Sequence, residues 1–379
     1  MSQVKLGDVA VESRETYKGD KTGMPIVGLE HITPGEVTLS NWDTDTDNTF
    51  TKRFRKGDML FGRRRAYLKK AAQAPFDGIC SGDITVIRAK EDRLLPELLP
   101  FIIQNDNLFD FAVGKSAGSL SPRVKWDNLK NYTFELPPME EQKKLAEALW
   151  SINDTLQAYQ KLFTETDALV QAQFVEMFGD PRSNPKGYPI KRICDYTQVL
   201  TGATPNRKNT SYYGGSIPWV KTGEIEAGYI VNTEEYITET ALQETNCKIL
   251  PVNTVMIAMY GQGKTRGCSG ILGVEAATNQ ACAAILPCKE LNPNFLHQFF
   301  INEYSNLREL GRGAQQANLN LSMIKNYPIM DVPLEFQNIF DSFIKQSASS
   351  KAALQNTVAI LQAAKRAILE DALRTRRKE

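Results

Sequence analysis

The chain has 379 residues, 42% of them apolar and 23% charged, and carries a net charge of +1. That length suits two domains of ordinary size, and the apolar fraction suits packed cores, which excludes a disordered or fibrous chain. Residues 1–10 show no charged-then-apolar leader, and no apolar run approaches the roughly 18 residues of a membrane span, so a cytoplasmic protein without a membrane partner is expected.

In chain order, the run DTDTDN at Asp43 imitates the start of a calcium loop. Asn48 stands where the turn glycine belongs and Phe54 where the bidentate glutamate belongs, so no calcium site is expected. Next comes a basic stretch in which Lys52, Arg53, Arg55, Lys56, Arg63, Arg64, Arg65, Lys69 and Lys70 face one local acid, Asp58. A charge run of this kind is often only a solvated face. With Tyr67 interleaved, it has the footprint of a surface that neutralises phosphates.

The chain then proves to be written twice. LKNYTFELPPMEEQ from Leu129 matches IKNYPIMDVPLEFQ from Ile324, repeating Lys130, Asn131, Tyr132, Pro138, Glu140 and Gln142 at Lys325, Asn326, Tyr327, Pro333, Glu335 and Gln337. The offset is about 195 residues. Similar offsets align KLGDV at Lys5 with KRICDY at Lys191, MPIVGLE at Met24 with IPWVKTGE at Ile217, and LLPELL at Leu94 with LNPNFL at Leu291. Each half opens with strand-like runs (59–61 and 84–87; 254–259 and 281–286), continues to a short helix and a proline-bounded stretch, and ends in a long polar-apolar segment.

Those long segments carry the strongest periodicity. Leu145, Leu149, Ile152, Leu156, Tyr159, Phe163, Thr166 and Val170 recur at spacings of four and three, as do Phe340, Phe343, Ser347, Ser350, Leu354, Thr357, Leu361, Ala364 and Ile368. Two long helices packed together are expected, with Ser347, Ser350 and Ala364 permitting close approach. The competing reading packs each seam on its own globular part. A helix of about 38 residues spans about 57 Å. The expected fold is therefore α+β: two similar globular domains (1–138 and 181–333) on two long antiparallel helices (139–180 and 334–379), packed as a coiled coil with pseudo-two-fold symmetry.

Two separated, related heads suit duplex DNA, whose half-sites recur on one face about every 34 to 36 Å. The second half supplies suitable loops. TGATPNRKNTSYYGGSIPWVKTGEI carries Arg207, Lys208, Tyr212, Tyr213 and Lys221, and YGQGKTRG carries Gln262, Lys264 and Arg266. Arginine and lysine can bridge guanine O6 and N7, and glutamine can pair with adenine. Gly263, Lys264 and Thr265 also imitate the end of a phosphate-binding P-loop, but Ala258 occupies its opening glycine position. With Arg63, Arg64, Arg65, Tyr67 and Lys69 from the first half, these residues are the candidate DNA contacts.

Other motifs read as structural. NPNF at Asn292 resembles an adenine-methyltransferase motif, yet its repeat counterpart is LPEL at Leu95, so Asn292 is expected to cap a helix with Pro293 or Pro96 in its first turn. Glu141 and Lys143 are spaced like part of a nuclease site but sit where acids meet a helix dipole. The six cysteines form no Cys-x-x-Cys pair and lie far from His31 and His297, so they are expected to be small buried hydrophobes and no metal is expected.

GDPRSNPKGYPIKRICD, TGATP, YYGGSIPWVKTGEI, MIAMYGQGKTRG, AATNQACAAI, residues 311–329 and VPLEFQ together resemble the specificity subunit of type I restriction-modification systems. KGDMLFGRRRAYLKKAAQAPFDGICSGD is similar to another recognition-domain type of that family. The resemblance spans essentially the whole chain. It implies two target recognition domains, each reading half of a split double-stranded DNA sequence, with the helices fixing the gap. The heads differ more than the helical tails, so the target is expected to be asymmetric.

The resemblance also implies two modification subunits that bring S-adenosylmethionine and methylate adenine, and restriction subunits that use ATP and Mg. This chain itself is expected to be non-catalytic and to bind no cofactor. The competing functions are a coiled-coil interaction scaffold without DNA readout and a self-sufficient methyltransferase.

Overall fold

The structure is a computed structural model that describes residues 2–45, 47–118, 120–261, 263–310 and 318–373. Contacts divide the chain into two units, Met1–Lys161 with Leu354–Glu379, and Leu162–Ala353. The long helices form no unit of their own; each is shared between the two.

In unit 1 the strands Ala10–Glu12, Ile84–Ala89, Met59–Gly62 and Ala71–Gln73 form an antiparallel sheet in that order. ITVIRA at Ile84–Ala89 and MLFG at Met59–Gly62 are β-branched or bulky apolar runs whose burial on both faces explains the absence of polar alternation. A second sheet joins Ile26–Val27, Gly78–Cys80 and Lys52–Phe54, the first two parallel. Unit 2 repeats the plan. Val199–Thr201, Cys282–Ile285, Val255–Ala258, Ser269–Leu272 and Tyr229–Ile230 form one sheet, and Tyr213–Val220 pairs in parallel with Ala277–Thr278 in another.

The proline-bounded stretches, left unassigned by the sequence, are strands. Thr133–Leu136 pairs antiparallel with Ser2–Lys5, and Pro328–Met330 with Ile190–Arg192, so each half is closed by its own beginning and end. In both halves an aspartate then caps a short helix: the Asp8 carboxylate accepts from the Lys5 amide, and Asp195 from the Arg192 amide, each at 2.8 Å.

The duplicated glutamine does identical work twice. Gln142 accepts from the Leu95 amide (2.9 Å) and donates to the carbonyls of Arg93 (3.2 Å) and Pro137 (3.0 Å). Gln337 accepts from the Asn292 amide (2.8 Å) and donates to Glu290 (3.1 Å) and Val332 (2.7 Å). Both are sealed from solvent, so each clamp satisfies backbone groups that water cannot reach.

The long helices run Met139–Phe178 and Leu334–Ala372, each following proline and carrying acids in its first turn, Glu140 and Glu141 or Glu335. In unit 1 the start of the first helix packs on the end of the second: Leu145, Leu149 and Trp150 meet Ile368, Leu369 and Leu373 around Phe101 and Ile102. In unit 2 Phe174 and Phe178, near the end of the first helix, meet Phe340 from the start of the second, together with Phe295 of the head. The helices are thus antiparallel within each unit. Ring centroids in this phenylalanine cluster lie 5.0 to 5.6 Å apart, each such pair adding about 1 kcal/mol beyond its area burial.

Of the seam residues, Leu149 is fully buried, while Ile152, Leu156, Phe163, Phe343, Leu354, Leu361 and Ile368 are half-buried. A pair of helices covers only one strip of each side chain, and burial becomes complete where a head covers the remaining side. One seam position differs from expectation. Ser350 is exposed, and Lys351 turns inward instead, pairing with Asp167 at 2.6 Å.

Three other expectations are corrected. Pro96 lies in the turn before its helix, which spans Leu99–Ile103, whereas Pro293 does open its helix behind the Asn292 cap. Cys194 is exposed and Cys268 and Cys288 half-exposed, so only Cys80, Cys247 and Cys282 behave as buried hydrophobes. Among the described residues Asp58 neutralises no side chain of the basic run: it is buried against Arg88, with bonds of 2.7 and 2.8 Å, and its carboxylate meets the run by accepting from the Arg55 backbone amide at 2.8 Å.

Candidate nucleic-acid interface

Strand direction places corresponding loops at one end of the main sheet in each unit. In unit 1 these are residues 13–16 after the first strand, 81–83 before Ile84–Ala89, and 63–70 between Met59–Gly62 and Ala71–Gln73. Their counterparts in unit 2 are 202–205, 279–281 and 259–268. Hydrogen bonds fix the equivalence. The Arg63 amide donates to the Asp83 carbonyl and the Val124 amide to the Arg63 carbonyl, at 2.9 and 3.0 Å; the Met259 amide donates to Ala281 and the Leu319 amide to Met259, at 2.9 and 3.1 Å. RRRAYLKK and the opening of MYGQGKTRG, which share no sequence, therefore occupy the same hairpin position.

The hairpins differ in construction. In unit 1 Arg65 and Lys69 both adopt left-handed backbone, φ 54° and 51°, on either side of a turn that exposes Tyr67. Non-glycine residues in this region cost about 1 kcal/mol or more each, so the surroundings enforce the turn. Arg65 is held through its amide to the Pro122 carbonyl at 2.8 Å. In unit 2 glycines provide the same freedom, with Gly263 at φ 60° and Gly267 at φ 88°.

Acids from distant sequence positions sort the candidate cations. Arg64 donates to Ser121 Oγ at 2.6 Å and lies 3.6 Å from Asp83, while Lys69 pairs with Asp106 at 2.5 Å. Arg123 lies beside Asp83 and holds its carboxyl below the ordinary range. Arg53 and Arg55 pair with Asp77 and Glu15. In unit 2 Arg207 is bound to Glu235 and lies over the rings of Tyr213 and Trp219, 4.7 and 5.1 Å from their centroids. Lys221 pairs with Glu234 and Glu235 at 2.9 and 3.0 Å, which raises its pKa and, together with Arg207, keeps Glu235 ionised. Tyr212 donates to Glu244, and Tyr213 to the Pro205 carbonyl.

Among the described residues, the side chains of Arg65, Lys208, Lys264 and Arg266 have no carboxylate partner. Tyr67 is 54% exposed, enough of its ring to stack on a base. The Nε atoms of Arg63 and Arg266 are enclosed without an acceptor among the described residues. Gln262 lies outside the described residues.

Sequence reasoning missed the grooves beside these hairpins. In unit 1 Glu12, Arg14, Thr16, Lys52 and Asp83 line one; in unit 2 Thr201, Thr204, Asn246, Lys248 and Gln280 line the corresponding one, with no carboxylate among the described residues. There Thr204 Oγ1 donates to Gln280 Oε1 at 2.6 Å. Gly202 is required, because a Cβ would stand 1.8 Å from the Thr278 carbonyl oxygen. TGATP held Thr201, Gly202 and Thr204, and AATNQACAAI held Gln280, but only folding shows that these two segments meet each other and Asn246 and Lys248. No group of three or more His, Cys, Asp or Glu side chains that could hold a metal is found among the described residues, nor a helix long and apolar enough to cross a membrane.

The model of the type I restriction modification DNA specificity domain matches residues 1–162 and 185–360. The chain belongs to this DNA specificity family. It resembles the specificity subunit of the type I restriction enzyme MjaIX of Methanocaldococcus jannaschii, with 20% identity over 74% of this chain and 68% of the relative. It also resembles that of HindI from Haemophilus influenzae, at 24% over 76% and 80%.

Among solved structures, a chain described under the assembly and conformational transition of the type I restriction-modification system aligns with a TM-score of 0.60 at 22% identity, covering 98% of this chain and 97% of that one. The specificity subunit from M. genitalium aligns with a TM-score of 0.59 at 12% identity, covering 99% and 96%. At these identities the likeness concerns the fold. The two matched segments of this specificity-family chain correspond to its two repeats, so both hairpin ends belong to specificity domains.

Proposed function

We propose that this chain is the DNA-reading subunit of a type I restriction-modification complex and that each repeat reads one half of a split, asymmetric duplex sequence. In this reading residues 1–138 and 181–333 are the recognition domains, and 139–180 and 334–379 the spacer that sets the gap between half-sites. The observation that carries it is one loop-bearing sheet end built twice with different side chains. Unit 1 presents Arg65 and Tyr67 beside a groove of paired charges, and unit 2 presents Lys264 and Arg266 beside hydroxyls, amides and Lys248. Different donor and acceptor sets select different bases.

Two modification subunits would bring S-adenosylmethionine and methylate adenine, and restriction subunits would use ATP and Mg. The chain itself would transfer no methyl group, bind none of these cofactors, and work in the cytoplasm. Titrating a duplex library at several salt concentrations tests this. A reader loses affinity log-linearly with salt and prefers one bipartite site, whereas a scaffold does neither. Methyl transfer by the chain alone would refute the non-catalytic assignment.

A further inference from the structure

Unit 1 contains a cavity of 410 Å³ between its head and its portions of the two long helices. Lys365 reaches into its wall. The side chain is half-buried, its Nζ lies 5.2 Å from the Phe101 ring centroid, and among the described residues it has no carboxylate partner. A desolvated ammonium without a counter-ion is unfavourable, and burial lowers the pKa of Lys365. Arg366 follows it in the wall, likewise without an acid partner among the described residues. Asn153, also in the wall, is only 5% exposed, and its Nδ2 has no acceptor among the described residues. Among the described residues that line the cavity the single carboxylate is Glu36, which accepts from the Ser40 hydroxyl.

The internal repeat supplies a control. The offset of about 195 residues that relates Gln142 to Gln337 relates Lys365, Arg366 and Asn153 to Val170, Gln171 and Ala348. Those three line the corresponding cavity of unit 2, where the nearby Lys351 is neutralised by Asp167 at 2.6 Å. The shared architecture therefore does not require the unit 1 cations; they are particular to one copy.

We propose that the unit 1 cavity binds a small phosphate-bearing molecule, with Lys365 and Arg366 meeting the phosphate oxygens and Asn153 as a further donor. Two cations against one carboxylate suit a dianion better than a single carboxylate ligand. The volume falls in the range of small-ligand pockets, roughly 300 to 1,000 Å³, and exceeds what inorganic phosphate needs, which favours a nucleotide-sized ligand.

The test is calorimetric titration of the purified full chain at constant ionic strength with inorganic phosphate, tripolyphosphate, AMP and ATP, using chloride as control. Saturable binding of one equivalent, weakened roughly ten- to a hundredfold by Lys365→Met, supports the site. The ranking of the four probes separates a free phosphate from a nucleotide-borne one. Lys365→Met keeps an apolar stem over Phe101, and its melting curve shows whether it folds. Mass-spectrometric footprinting of Lys365 acetylation in the wild-type chain provides a second readout, since a bound phosphate should protect that amine. Absence of binding and of protection by every probe overturns the proposal. So does binding that Lys365→Met leaves unchanged, or protection that only duplex DNA confers.

Discussion

Arg207 and Arg266 look alike in the sequence, each a cation among glycines and hydroxyl residues, and the structure gives them different work. Arg207 is occupied by Glu235 and two aromatic rings, whereas Arg266 has no acid partner among the described residues. Arg266→Ala should cost about 1 to 3 kcal/mol of binding at one half-site only. Arg207→Ala should mainly lower the stability of unit 2, by about 1 kcal/mol. Binding to half-site variants and thermal melts separate the two effects. Arg65→Gly should remove left-handed strain and leave unit 1 as stable or about 1 kcal/mol more stable, while weakening DNA binding. A concurrent loss of stability would contradict the strain argument.

His297 carries a pH dependence. Desolvation holds its pKa down to about 4, and Nδ1 lies 2.9 Å from Ser269 Oγ. An unfolded histidine titrates near 6.5, so the contribution of its neutral form is complete above about pH 6.5 and is lost as pH falls through about 4. Melting temperatures across that window should fall less steeply for His297→Gln.

At the scale of elements, the glutamine clamps and the helices bear the argument. Gln142→Ala or Gln337→Ala would leave enclosed backbone groups unsatisfied and should destabilise the unit concerned by about 2 kcal/mol, measured by denaturant unfolding. Inserting four residues after Tyr159 lengthens the first helix by about 6 Å. It should change the gap tolerated between half-sites when spacer-length variants are compared; an unchanged gap would refute the role of the helices as a spacer. The heptad spacing made these helices legible, because a seam records which side of a rod is covered. It misplaced Ser350 because the pattern weighs side-chain polarity alone, whereas Lys351 turns inward to meet Asp167.

For the whole molecule, the duplication was readable wherever both copies retain the same residue for the same task, as at Gln142 and Gln337. It was unreadable at the hairpins, where RRRAYLKK and MYGQGKTRG share a place in the fold without sharing sequence. By itself the sequence determined the two-fold repetition, the long helices, the strand-rich heads and the family resemblance, since all of these rest on local periodicity or on motifs lying along one stretch of chain. Only the tertiary structure decided which cations are neutralised and which loops form each groove. Glu235, Asp83 and Asp106 lie 19 to 40 positions along the chain from these partners, and pairings of that kind are made when strands and helices close on one another.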